Sequence, residues 1–143
     1  MRWKTTGEME INVGVLGTSN AVLWEFRDYL VEVEAESDYK LNMVLAKDQE
    51  TIFRVMSFMS GGFDLMIVQG KLSESKYMEI TNRALTANEN LRILFQMNPD
   101  TDFAGKRYPH VLFVPERDKL KAVTKQKINQ MVAEKMTKEE SVM

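Results

Sequence analysis

The sequence holds no cysteine, which excludes disulfides and thiolate chemistry and fits a reducing, cytoplasmic interior. Its one histidine, His110, has neither a cysteine nor a second histidine to join it in a metal site, and is expected to be structural or exposed. Only 3 prolines and 7 glycines punctuate 143 residues, so the chain is neither collagenous nor of low complexity. No apolar run approaches the roughly 20 residues that a membrane-spanning helix needs. Met1 to Glu10 carries Arg2 and Lys4 without an apolar stretch behind them, and does not read as a signal peptide. A net charge of −2 offers no long-range attraction to nucleic acid or anionic membrane.

What is present describes an ordinary globular protein: 44% hydrophobic and 28% charged residues in a length suited to one domain. The 11 methionines are expected to fill core gaps. Residues 1–10 read as a polar leader, whose Trp3 is free to fold back or touch a partner. Residues 11–134 read as a single domain, and 135–143 as a charged, frayed tail.

Ile11 to Leu16 is short, branched and apolar, and Gly17 closes it as a buried strand. Thr18, Ser19 and Asn20 offer caps to a helix over Ala21 to Glu36, where Val22, Leu23, Phe26, Tyr29, Leu30 and Val33 recur at helical spacing. Tyr39 to Ala46 predicts a second strand. Asp48 caps a helix with Ile52, Val55, Met56 and Met59 on one face, stopped by Gly61 and Gly62. Phe63 to Val68 is the clearest buried strand, ended by Gln69 and Gly70, and a third helix follows from Lys71 to about Ala87. Leu91 to Phe95 and Val111 to Val114 supply the last strands. A helix with Leu120, Val123, Ile128 and Met131 on one side begins at Arg117.

Apolar strands alternating with helices belong to a parallel sheet covered on both faces. Right-handed crossovers leave few topologies. The expected fold is a doubly wound, flavodoxin-like or receiver-like three-layer α/β sandwich, with five parallel strands in the order 2-1-3-4-5. The polar stretch Met97 to Pro109 makes the helix between the fourth and fifth strands short or missing.

The order and spacing of these elements, from about Ile11 to Val132, resemble the receiver domains of bacterial two-component response regulators. The family places an acidic, magnesium-holding pair after the first strand and a phosphoryl-accepting aspartate at the end of the third. It ends the fourth strand with a serine or threonine and the fifth with a lysine before a proline. In this chain those positions fall on Gly17 and Thr18, Gln69, Gln96, and Val114 ahead of Pro115. Carboxylates, metal and lysine do the electrostatic work of phosphoryl transfer, and all are replaced. The resemblance therefore implies a degenerate receiver, not phosphorylated on aspartate, with no cofactor and no metal. Its implied role is a signalling or regulatory module that binds a protein partner or itself as a homodimer. Such domains occur within regulators and also ahead of ParA-like ATPases in pilus-assembly systems. Val114–Pro115 is a candidate cis peptide, because the matching bond often is in receivers.

Several residues invite other readings. Asp64 begins its strand, about 15 Å from the opposite edge where an acceptor would lie. Asp100 and Asp102 lie on the crevice side, as solvated loop carboxylates or as replacements for a lost metal ligand. Gly17, Thr18, Ser19 and Asn20 open a helix beside Gln69 and Gly70, where backbone amides favour an anion. The plain expectation is a helix cap, and the sharper one is bound phosphate, nucleotide or flavin in a small-molecule-binding protein or enzyme. No P-loop lysine and no GxGxxG spacing accompany this loop. Arg117, Lys119, Lys121, Lys125 and Lys127 read as the solvated side of the last helix. Trp24, Phe53 and Phe58 are expected to pack between helices and sheet. The last helix and the loop Met97 to Pro109 are the expected contact surfaces.

Overall fold

The computed structural model describes residues 9–59, 61–70, 72–97 and 110–142, with side chains as far as Met136. Among the described residues five strands and four helices follow one another: β1 (Met9–Leu16), α1 (Asn20–Ala35), β2 (Tyr39–Ala46), α2 (Gln49–Ser57), β3 (Leu65–Gln69), α3 (Glu74–Ala87), β4 (Arg92–Gln96), β5 (Val111–Phe113) and α4 (Arg117–Val142). All neighbouring strands pair in parallel, in the order β2-β1-β3-β4-β5. This is the flavodoxin-like α/β arrangement that strand–helix alternation implies.

The period-2 geometry of the strands divides the core in two. Ile11, Val13 and Val15 of β1, Leu65 and Ile67 of β3 and Leu94 of β4 meet Leu23, Phe26, Leu30 and Val33 of α1 and Leu120, Ile128 and Met131 of α4. Leu16, Met66, Val68, Ile93 and Phe95 face the other way, onto Ile52, Phe53 and Met56 of α2 and Tyr77, Ile80 and Ala84 of α3. Both faces of β3 are thus apolar, and all five of its residues are buried. On the α2/α3 face the Phe63 ring occupies the space over Gly14, where an added Cβ would lie 2.5 Å from Phe63 Cε2.

Three helices start on the capping residues that spacing allows. Ser19 Oγ accepts from the Val22 amide, Asp48 Oδ1 from Thr51 and Ser73 Oγ from Lys76. The third helix therefore starts at Glu74, later than the expected Lys71, because Ser73 supplies its cap.

Other expectations need correction. β1 begins at Met9, inside the stretch read as a leader, because Met9 pairs with Tyr39 of β2. α4 continues to Val142, through residues expected to fray. The described backbone contains no cis peptide, so Val114–Pro115 is trans. Trp24 and Phe58 do not pack against the sheet: they are 63% and 84% exposed. Trp24 is rotated by about 100° from the core-facing Leu23, and Phe58 sits past the end of α2, as its C-cap. Phe53 is buried as expected. Of the stretch expected to carry a reduced helix, Met97 is described and buried, while 98–109, with Asp100 and Asp102, lie outside the described residues, as does Trp3.

Candidate functional site

In a doubly wound sheet the crevice lies at the carboxyl ends of the strands, beside the point where strand order reverses. Here that point is between β1 and β3, and it gathers Gly17 and Thr18 after β1 with Gln69 and Gly70 at the end of β3. Gln96 ends β4 and Val114 follows β5. Register brings Gln69 directly opposite Gln96. The fold therefore assembles Gly17, Thr18, Gln69, Gln96 and Val114 at one edge.

The chemistry at that edge is neutral and closely packed. Gln69 is 5% exposed, and its Nε2 donates to Gln96 Oε1 at 3.3 Å. An amide pair thus stands at the positions that the resemblance assigned to an acceptor carboxylate and a hydroxyl. Val114 is buried, and its amide donates to the Phe95 carbonyl at 2.8 Å, so β5 is still anchored to β4 at this residue. Gly17 donates its amide to the Ala46 carbonyl at 3.0 Å. A Cβ at Gly17 would lie 2.7 Å from Leu23 Cδ2 and 3.3 Å from Gln69 Oε1. A carboxylate at this position would need both neighbours to move. Gly70 has φ +106°, and a Cβ there would lie 2.7 Å from Thr18 Cγ2. The turn after β3 thus depends on glycine for its conformation and its clearance.

A divalent cation does not fit the residues described here. Magnesium takes hard, preferably anionic oxygens, and Gly17, Thr18 and Gln69 supply no carboxylate. Among the described residues no group of three histidine, cysteine, aspartate or glutamate side chains could hold a metal ion. Among these crevice residues Gln69 Oε1 is buried without a hydrogen-bond partner. It lies near Gly17, beside the amino end of α1. Ser19 caps that helix end through the Val22 amide, and Asn20 is its first residue.

Asp64 lies at the opposite edge, one residue before β3. Its Oδ2 accepts from the Asn12 amide at 2.8 Å, and its Oδ1 pairs with Lys135 at 2.9 Å. Asn12 Nδ2 donates to the Gly62 carbonyl, and Asn42 Nδ2 donates to Asn12 Oδ1. Asp64 therefore anchors the start of β3 to β1 and α4. Two surface depressions, of about 620 and 610 Å³, open on this same amino edge; Phe53, Met56 and Gly62 help line the first, and Asp64 and His110 the second. His110 is exposed.

The basic residues of α4 are only partly the free solvated row that was expected. Arg117 and Lys121 both pair with Glu25 of α1, at 2.7 and 3.2 Å, and Lys125 pairs with Glu36 at 3.7 Å. Sequence reasoning missed the amide pair, because it joins two strand ends 27 residues apart. It also missed the Asp64 anchor. The alternation of buried strands gave the position of each, but not its partner.

No family model matches the chain, and no curated protein matches it. Among solved structures it resembles a pilus assembly-related protein from Burkholderia pseudomallei, with a TM-score of 0.54 at 14% identity, over 81% of this chain and 87% of that one. At that identity the likeness establishes a shared fold and nothing finer. No described helix is long and apolar enough to cross a membrane.

Proposed function

We propose that the chain is a non-catalytic, receiver-like interaction module, which acts by binding a protein partner or itself and is not phosphorylated on aspartate. One observation carries the reading: Gln69, buried and bonded through its amide to the half-buried Gln96, stands at the position that the resemblance assigns to an acceptor carboxylate, which would need water, metal and phosphoryl donor. A glutamine amide is a poor nucleophile and forms no acyl phosphate. Gly17 and Val114 remove the other charges on which phosphoryl transfer depends. The shared fold with a pilus assembly-related protein supports an assembly or regulatory setting, in which such a module contributes surfaces instead of chemistry.

The test is incubation with acetyl phosphate and magnesium, followed by intact-mass measurement. No phosphoryl adduct is expected, and an acid-stable mass near the unmodified chain at every time point supports the reading. A stoichiometric adduct of phosphoryl mass would overturn it.

A second reading has a single observation in its favour, the unpartnered Gln69 Oε1 beside the start of α1. A small ligand with a donor group, such as a nucleotide or flavin, would satisfy that oxygen. A thermal-shift series with nucleotides, flavins and phosphate separates the two readings. A saturable rise in melting temperature, lost in Gln69→Leu, would favour the ligand.

A further inference from the structure

The outer face of α1 carries two exposed large apolar side chains among polar and charged ones. Leu23, Phe26, Leu30 and Val33 are taken up by the core, while Trp24 and Val31 stand 63% and 42% exposed. These two are about two helical turns apart and so lie one above the other. Asn20, Arg27, Asp28 and Ala35 around them are also exposed. Arg27 and Asp28 flank the Trp24–Val31 stripe on opposite sides, about 100° apart around the helix and about 1.5 Å apart along it. Among the described residues neither meets an ion-pair partner, whereas Glu25, on the side toward α4, is held by Arg117 and Lys121.

We propose that this face docks a second copy of the chain, α1 against α1 in parallel; the proposal rests on the reading of the chain as an interaction module and names its partner. A two-fold axis along the helix brings Trp24 onto Trp24 of the second copy and Val31 onto its Val31. The same axis sets Arg27 of each copy beside Asp28 of the other at nearly equal height, so two reciprocal ion pairs bracket the apolar seam. An antiparallel two-fold would instead set Arg27 beside Arg27 and Asp28 beside Asp28. The charges therefore select the parallel orientation and disfavour the reverse. One helix face falls short of the about 1,200 Å² typical of stable interfaces, so the dimer is reversible and concentration-dependent.

Sedimentation equilibrium of the whole chain across the micromolar range tests this. The wild-type chain is expected to dimerise with rising concentration, and Trp24→Ala to weaken the dimer by about tenfold or more. Arg27→Asp and Asp28→Arg are each expected to be monomeric alone, because each makes one sign of charge face itself. Mixed in equal amounts, these two variants should form a heterodimer, which loss of folding could not produce; circular dichroism of each variant checks that the fold is intact. A wild-type chain that stays monomeric, a dimer indifferent to Trp24→Ala, or a mixture without heterodimer would each overturn the proposal. A monomeric wild type sinks the α1 dimer alone and leaves the face to a different protein, whereas a phosphoryl adduct sinks the inert-module reading whatever the oligomeric state.

Discussion

At the scale of single residues, the carboxyl edge is set by packing as well as by the uncharged residues Gly17, Gln69 and Val114. A carboxylate placed there would meet a buried, neutral environment. Gln69→Asp places a shorter, ionisable group where Gln69 is 95% buried, since its exposure is 5%. With no cation or lysine described beside it, desolvation would favour the neutral acid and raise its pKa. Stability contributed by such a group is present below its unfolded value and is lost as pH rises through the folded one. The variant is therefore expected to be less stable than the wild type by about 1–3 kcal/mol near neutrality, with the deficit shrinking at acid pH. It should remain unmodified by acetyl phosphate. Urea unfolding at two pH values and intact mass check both outcomes. Gly14 makes a second residue-scale point. Its Cβ space belongs to the Phe63 ring, and Phe63 is fully buried. Gly14→Ala should cost about 1–3 kcal/mol by overpacking, read as a fall in the urea midpoint. A neutral result would mean that the ring moves freely.

At the scale of elements, α1 is held on one side and free on the other. Tyr29 donates its hydroxyl to the Lys121 carbonyl at 2.6 Å, joining α1 to α4. Its pKa lies above the usual 10.0, first through burial and then through nearby Tyr39, Glu32 and Glu36. Tyr39 is raised too, chiefly by burial. Both groups favour the protonated state when folded. Their contribution is complete below the ordinary tyrosine value and is lost as pH rises through the raised folded values. Stability should thus hold to about pH 9 and then fall. In Tyr29→Phe the neutral-pH stability should drop by about 1 kcal/mol with the hydrogen bond, and the alkaline loss should become shallower. Thermal unfolding followed across alkaline pH checks the sign. The opposite face of α1, with the exposed Trp24 and Val31, should be insensitive to this change.

At the scale of the whole molecule, the two edges of the sheet have divided roles. The carboxyl edge carries the neutral amide pair, and the amino edge carries the charged anchors Asp64–Lys135 and Arg92–Glu134. Asp64 connects β1, β3 and α4 at once, and its side chain is 11% exposed. Asp64→Ala would leave the Asn12 amide without its carboxylate acceptor. A loss of about 1.5–3 kcal/mol is expected, the usual range for a hydrogen bond to a charged group. Hydrogen exchange should show faster opening of β1, β3 and the later part of α4 together, with dimerisation through α1 retained. Opening confined to α4 would count against a shared anchor.

How much of this was legible beforehand follows from the range over which each feature is encoded. Ser19, Asp48 and Ser73 act within three residues of themselves, so caps are written locally, although the choice of Ser73 over an earlier start emerged only in the structure. Helical and strand periods gave the two core faces and the five parallel strands. The uncharged residues at the strand ends, from Gly17 and Thr18 to Val114, could likewise be read in the chain, since residue identity needs no coordinates. The partner of Gln69, the anchoring of Asp64 and the exposure of Trp24 are different. Each depends on strand register or on how one helix is rotated against the sheet, and these join residues far apart in sequence. The sequence by itself determined the alternation of elements and the neutral residues at the strand ends, because both reside in residue identity and local spacing. Only the tertiary structure decided that Gln69 is buried and paired with Gln96 and that Trp24 and Val31 of α1 are left exposed, because burial is settled when separate elements pack.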